Sequence, residues 1–180
     1  MEQKFYTMNI AGIQRDLPLC AVSDSLDIAA FIMFSDVEIT VACAEALLKV
    51  VPEFDYIVTA ESKGIPLAYE MSRQCGKVYI PARKGIKVYM TNAISVNVKS
   101  ITTAAEQTLH LGGKEADMLK GKRVLIVDDV ISTGGSLLAL EALVEKAGGV
   151  IVGKAAVLAE GEAADRDDII FLEKLPVFPK

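Results

Sequence analysis

The 180-residue chain has little that would cross-link it or anchor it in a membrane. Its three cysteines, Cys20, Cys43 and Cys75, are odd in number and far apart, which fits neither a disulfide framework nor a zinc site. The longest apolar run, Ile28–Phe34, is much shorter than the ~20 residues that cross a bilayer. The N-terminus also lacks the basic start and apolar stretch of a secretory signal. We therefore expect one cytoplasmic domain over residues 1–180 that does not bind a membrane.

The chain also lacks an excess of positive charge. Its net charge is −5 and its pI is near 5.0, which argues against nucleic acid as a partner. A small phosphorylated ligand needs only a local group of backbone N–H donors and a few cations. The charge balance therefore leaves a nucleotide-sized ligand open.

Short apolar runs alternate with segments of helical periodicity through most of the chain. Predicted strands are Tyr56–Thr59, Val78–Ile80, Val124–Val127 and Ile151–Leu158, and predicted helices are one capped by Asp36, Pro66–Cys75 and Ser136–Ala147. This alternation predicts an α/β fold, with a parallel sheet of about five strands flanked by helices. Ligands of such folds bind at the carboxyl ends of the strands.

Two segments depart from this alternation. Lys4–Val22 predicts a β-hairpin around Ala11-Gly12. Lys87–Leu111 is rich in Thr, Ser, Asn and Val, and we interpret it as a long hairpin with its tip near Thr102–Glu106. Excursions of this length often act as lids.

The strongest chemical signal is Val124–Ser136, an apolar strand that runs into two carboxylates and a loop of small residues. The loop Ser132–Ser136 can aim backbone N–H groups at a phosphate, with help from the dipole of the following helix. Asp128 and Asp129 precede it, where they can accept hydrogen bonds from a ribose diol. The lysine of the Gly-x-x-x-x-Gly-Lys-Ser/Thr loop is absent, so this is not an ATP-type phosphate loop.

This stretch resembles the signature of type I phosphoribosyltransferases that binds phosphoribosyl pyrophosphate (PRPP), and the whole chain is nearest the adenine and xanthine enzymes. The resemblance implies catalytic roles for Asp128 and Asp129. It also implies 5′-phosphate binding by Ser132, Thr133, Gly134, Gly135 and Ser136, and pyrophosphate binding by Glu61, Ser62, Lys63, Gly64, Arg83 and Lys84. A cis peptide bond is expected at Ser62–Lys63.

The resemblance further implies that a hood, from about 1–25 and 160–180, selects the base, with Val130, Glu160 and Phe178 as base-binding candidates. The flexible loop, about 87–111, would contribute Tyr89 and Lys99. Three departures bear on the base. Ser132 replaces the aspartate of hypoxanthine–guanine enzymes, Lys99-Ser100 replaces the Glu-Tyr pair of adenine enzymes, and Gly161 replaces the lysine of xanthine enzymes. A carboxylate at Glu160 without a neighbouring cation slightly favours adenine, with xanthine next.

The implied reaction joins PRPP to a purine base in purine salvage, giving a nucleoside monophosphate and pyrophosphate. Mg²⁺ is the expected cofactor, held mainly by PRPP and water with no direct protein ligand. A homodimer is expected as well. The alternative is a non-catalytic regulatory protein of the same fold that senses PRPP, although the sequence shows no helix-turn-helix segment.

Overall fold

The computed structural model describes residues 3–99 and 106–180. In chain order the elements are β1 (Phe5–Ile10), β2 (Ile13–Ser23), β3 (Leu26–Ala29), α1 (Val37–Leu48), β4 (Tyr56–Ala60), α2 (Ile65–Cys75), β5 (Val78–Ala82), β6 (Ile94–Lys99), β7 (Glu106–Leu111), α3 (Gly113–Leu119), β8 (Arg123–Ile131), α4 (Gly135–Lys146), β9 (Val150–Glu160), a 3₁₀ turn (Gly161–Asp165), β10 (Ile170–Leu175) and β11 (Val177–Pro179).

The centre of the molecule is a five-stranded parallel sheet in the order β10-β9-β8-β4-β5. Along β8, Leu125 and Val127 belong to the apolar cluster that includes α1 and α2, whereas Val124 and Ile126 belong to the cluster that includes α4. Successive side chains point to opposite faces of a strand, so both faces of the sheet are covered by helices. The predicted α/β fold is confirmed.

The hood is a four-stranded antiparallel sheet in the order β1-β2-β3-β11. It differs in extent from the sequence-based segments at 1–25 and 160–180. Its N-terminal part continues through Leu26–Ala29, and its C-terminal part is only Val177–Pro179. Ile170–Leu175 instead pairs in parallel with β9 as an edge strand of the main sheet, because Leu175 is apolar and almost fully buried.

A guanidinium fixes the hood relative to the main sheet. Arg15 on β2 donates from Nε to Asp36 Oδ2 at 2.7 Å, and Asp36 also accepts from the Ile39 amide as the N-cap of α1. This hydrogen bonding lowers the pKa of the Asp36 carboxyl, with the Arg15 contact as the largest cause. The predicted cap is confirmed.

The predicted excursion begins with turns, and the antiparallel pairing of β6 with β7 starts only at Ile94 and Leu111. The pair ends at Lys99 and Glu106; most of the predicted tip, residues 102–105, lies outside the described residues, as does Ser100. In the parts of the chain that are described, no helix is long and apolar enough to cross a membrane.

Candidate active site

Two adjoining cavities lie where β4, β5, β8 and β9 end. The larger, of about 500 Å³, lies between Glu61–Lys63, the 128–130 stretch and residues Ile28–Ile32, which run from the hood strand β3 into the segment after it. The smaller, of about 180 Å³, is bounded mainly by residues 130–137. Asp128, Val130, Ser132 and Ser136 line both, so the site is one continuous cleft at the predicted end of the sheet.

Residues 132–136, which are the loop before α4 and the first two residues of that helix, have the form of an anion cradle. Gly134 is the N-cap with φ +79°, a conformation that disfavours residues other than glycine, and no side chain caps the helix there. The first amides of α4 are therefore available to a bound anion. Arg166 lies beside the cradle: a Cβ atom on Gly134 would lie 3.1 Å from Arg166 Nη1, while Arg166 Nε and Nη2 donate to Asp168.

Asp128 and Asp129 lie within β8, not after it. The strand continues to Ile131 because Val130 and Ile131 still pair with β9. Asp129 is only 2% exposed, and Asp128 Oδ1 accepts a hydrogen bond from its amide at 2.9 Å. Burial, followed by the charge of Asp129, raises the pKa of Asp128 to about 8. Both causes favour the protonated form of the Asp128 carboxyl.

Lys63 approaches this pair from the facing loop. Its Nζ lies 3.1 Å from Asp129 Oδ2, yet this buried oxygen has no hydrogen-bond partner among the described residues. Lys63 is about half exposed, so its charge is free to turn toward a ligand. The contact places the two predicted site segments on opposite sides of the same cleft.

The loop between β4 and α2 contains a cis peptide bond at Glu61–Ser62. The sequence-based placement at Ser62–Lys63 was therefore wrong by one residue. The Glu61 amide still pairs with Ala82 O at 2.9 Å, while Ser62 O already accepts from Ile65 at the start of α2. The chain therefore changes direction directly after Glu61.

Gly64 packs against the floor of the site. A Cβ atom there would overlap Thr59 Oγ1 and lie 2.9 Å from Asp128 Oδ1. Thr59 is fully buried, and its hydroxyl has no hydrogen-bond partner in the described parts of the chain. Only a residue without a side chain lets the loop approach the diacid this closely.

The predicted Arg-Lys pair divides between two environments. Arg83 lies 3.3 Å from Glu61 and donates from Nη1 to the Tyr89 hydroxyl at 3.2 Å. Lys84 donates its amide to Glu61 at 2.9 Å, which is the largest cause of the lowered pKa of that carboxyl. Of the two cations, Lys84 lines the larger cavity.

The hood candidates are also separated. Glu160, the last residue of β9, lines the larger cavity with Val130, and burial raises the pKa of its carboxyl. Phe178 instead packs edge-to-face on Tyr6, with ring centroids 5.1 Å apart. The roles of Val130, Glu160, Phe178 and Tyr89 stay predictions, and so does that of Lys99, the last residue of β6.

Sequence reasoning missed Gln107, Arg166 and the Ala29–Ile32 segment. Gln107 lines the smaller cavity and Ala29–Ile32 the larger. The apolar run at Ile28–Phe34 is visible in the sequence, but its length showed only that it is too short to span a membrane and did not indicate that it lines a site. Nothing in the local pattern around Gln107 indicates a site, because hairpin pairing brings it to α4.

The raised pKa of Asp128 predicts a pH-dependent stability. An unfolded aspartate titrates near pH ~3.9, so between that value and about 8 the folded state binds more protons than the unfolded state. The free energy of unfolding contributed by this group therefore falls as pH rises through that window. We expect Asp128→Asn, which cannot ionise, to be most stabilised relative to the parent near pH 8. Thermal unfolding of both proteins from pH 5 to 8, without ligand, measures this, and a pH-independent difference would contradict the raised pKa.

Comparison with known families gives a match to the phosphoribosyl transferase domain over residues 38–177. The adenine phosphoribosyltransferase of Brachyspira hyodysenteriae is 39% identical over 130 residues, which are 69% of this chain and 69% of that protein. The hypoxanthine/guanine phosphoribosyltransferase of Methanococcus voltae is 40% identical over 112 residues, which are 62% of this chain and 56% of that protein. Relatives that act on 6-amino and on 6-oxo purines, by their names, are thus similarly close.

Solved structures support the architecture. The adenine phosphoribosyltransferase of Thermoanaerobacter pseudethanolicus superposes with a TM-score of 0.68 at 23% identity, covering 95% of each chain. The enzyme of Saccharomyces cerevisiae gives a TM-score of 0.67 at 19% identity, covering 94% of this chain and 92% of that one. At these identities the likeness concerns the fold.

Proposed function

We propose that this chain, which belongs to the phosphoribosyl transferase family, transfers the phosphoribosyl group of PRPP to a purine base and releases pyrophosphate. The observation that carries the proposal is the position of the diacid between two anion-binding loops. Asp128 lines both cavities and also contacts the Gly64 loop. A ribose over the diacid would place its 5′-phosphate at residues 132–136 and its pyrophosphate at residues 61–64.

The chemistry assigned to this site is displacement at the anomeric carbon through an oxocarbenium-like state. Asp129 faces the cleft from a buried position, where a carboxylate stabilises developing positive charge more strongly than it does in water. The two loops hold the ends of PRPP, so catalysis consists of positioning and charge stabilisation. The hood closes the base side of the cleft with Ile28–Ile32.

Mg²⁺ is the proposed cofactor because a diphosphate leaving group needs its charge neutralised. Among the described residues there is no cluster of three or more metal-ligating side chains. The carboxylates that line the larger cavity are those of Glu61, Asp128, Asp129 and Glu160. Asp129 Oδ2 has an ion contact with Lys63 but no hydrogen bond among the described residues. This donor set fits an ion bound mostly by substrate oxygens and water, with the diacid as its outer support.

Adenine is the base we favour, with xanthine next. Glu160 lines the base side of the cavity, and its neighbour is Gly161 instead of a cation. A carboxylate accepts from the exocyclic amine of a 6-aminopurine, whereas a 6-oxopurine presents an acceptor at the same ring position. The proposed context is purine salvage by a cytoplasmic homodimer, in which the 87–111 loop closes over PRPP.

The base assignment is tested by incubating the protein with PRPP, Mg²⁺ and each common purine, then measuring nucleotide formation. We expect adenine to react fastest, and Glu160→Gln to lower kcat/KM for adenine about 10-fold, the scale of a hydrogen bond to a charged group. Glu162→Gln, at an exposed carboxylate two residues away, is the matched control. Faster conversion of xanthine or guanine, or an unchanged preference in Glu160→Gln, would contradict this assignment.

The same assay separates the enzyme from a regulatory protein. A regulator that senses PRPP would bind it without forming nucleotide from any base. Calorimetric binding of PRPP together with absent turnover would therefore favour that alternative.

A further inference from the structure

The 132–136 segment is hydrogen-bonded to the hairpin formed by β6 and β7. Ser136, in the first turn of α4, donates its hydroxyl to Gln107 Oε1 at 3.0 Å. Gln107 lies on β7 and lines the smaller cavity together with the 132–136 loop. Its amide is therefore close to the place where the sugar phosphate is proposed to bind.

The backbone around Gln107 is well fixed. Its neighbours Leu109 and Leu111 are 1% exposed and belong to the apolar cluster of α4. Lys146, in the last turn of α4, donates to Ser95 O on β6 at 2.8 Å. Because the strand is held in place, a change at Gln107 is expected to occur in its side chain and not in its backbone.

The Ser136 hydroxyl has a single proton, and two acceptors compete for it once a ligand is bound. In the structure this proton is donated to Gln107 Oε1. A phosphate dianion in the cradle is the stronger acceptor, because hydrogen bonds to ionised oxygens are roughly twice as strong as neutral ones. When the hydroxyl turns to the phosphate, Ser136 Oγ and Gln107 Oε1 face each other as two acceptors without a proton between them.

Resting on the proposed function, we propose that Gln107 is a positioning residue of the sugar-phosphate subsite. When phosphate binds, the side-chain amide of Gln107 rotates by about 180°. Gln107 Nε2 then donates to Ser136 Oγ, and the Ser136 hydroxyl donates to the phosphate. The resulting chain of hydrogen bonds is cooperative, since each donor polarises the next. Glutamine can act in both arrangements because its terminal amide carries an acceptor, Oε1, and a donor, Nε2, which exchange places when the amide rotates by about 180°.

Gln107→Glu and Gln107→Leu distinguish this role from simple packing. Glutamate keeps the acceptor of the ligand-free state but has no N–H for the bound state, and it adds negative charge beside the phosphate. We expect the dissociation constant of ribose 5-phosphate, measured by calorimetry, to rise about 30-fold in Gln107→Glu and about 5-fold in Gln107→Leu. The constant for pyrophosphate with Mg²⁺, which binds at the Glu61–Gly64 loop, is expected to change less than about 2-fold. Gln14→Glu, the same change at an exposed position of the hood, should leave both constants at parent values.

A double-mutant cycle with Ser136→Ala tests whether the amide acts through the hydroxyl. In that background Gln107→Leu is expected to weaken ribose 5-phosphate binding less than about 2-fold. An equal effect in both backgrounds would overturn the proposal, as would Gln107→Glu binding no more weakly than Gln107→Leu. Retained pyrophosphate binding shows that a variant is folded. If the parent binds ribose 5-phosphate and both Gln107 variants bind it equally well, only this inference is overturned; if the parent does not bind it, the proposed function fails as well.

Discussion

Replacing Asp129 with asparagine is expected to lower kcat about 100-fold while changing KM little, which is the scale for removal of one preorganised electrostatic group. The carboxylate is 2% exposed, and its Oδ2 has no hydrogen-bond partner among the described residues. A negative charge in such an enclosed position has its largest effect when positive charge develops on the ribose. Asparagine keeps the shape and removes the charge. Steady-state kinetics with PRPP and adenine separate the two parameters.

Two further variants serve as comparisons for Asp129→Asn. Asp128→Asn is expected to cost less, about 10-fold, because burial and the charge of Asp129 already favour the neutral form of Asp128. Asp165→Asn changes a carboxylate that is 84% exposed and should behave as the parent. A rise in KM with kcat unchanged in Asp129→Asn would instead make this residue a ribose anchor.

The parallel sheet was predictable because its strands are short apolar runs between helices. Val124–Val127 is buried on both faces, and such a run has few structural alternatives once helices flank it. The same pattern predicted the position of the cleft, since the predicted strands that end at Thr59, Ile80 and Leu158 lie in one sheet and end at the same edge. The family resemblance read from Val124–Ser136 is confirmed by the match over residues 38–177.

Other features depend on contacts between distant segments and have no local signal. Ile170–Leu175 falls within the 160–180 segment that the sequence analysis assigned to the hood, but pairing with β9 makes it an edge strand of the main sheet. Arg83 was expected to reach a phosphate, yet in the ligand-free protein it contacts Glu61 and Tyr89. The local sequence does not determine which partner a long cation selects, because several oxygens lie within its reach.

The base is the part of the function that the chain's motifs leave most open. Ser132, Lys99 and Gly161 each depart from one branch of the family, and the similar relatives include both adenine and hypoxanthine/guanine enzymes. The cavity wall at Ile28–Ile32 has only apolar side chains, so it provides no side chain that is diagnostic of one purine. We therefore expect base selection to depend on the geometry of the hood, which residue identities alone do not specify.

Gly64→Ala is expected to lower kcat/KM about 100-fold while leaving the protein folded. The backbone of Gly64, with φ −74°, suits alanine, so the effect is steric. The added methyl group would overlap Thr59 Oγ1 and lie 2.9 Å from Asp128 Oδ1, which moves the loop of residues 61–64 away from the diacid. A displacement of about 1 Å in a reacting assembly can cost this factor of 100. Kinetics with PRPP and adenine, with thermal unfolding as the check on folding, measure the change.

Gly85→Ala is the matched control for the Gly64 substitution, because a Cβ atom there would meet nothing within 4 Å. It should retain parent kcat/KM. Adding Thr59→Ala to Gly64→Ala removes the overlapping hydroxyl but not the contact with Asp128, so only part of the lost activity is expected to return. Parent activity in Gly64→Ala would show that the loop functions without close approach to Thr59. A complete rescue by Thr59→Ala would show that the hydroxyl, and not the diacid, sets the position of the loop.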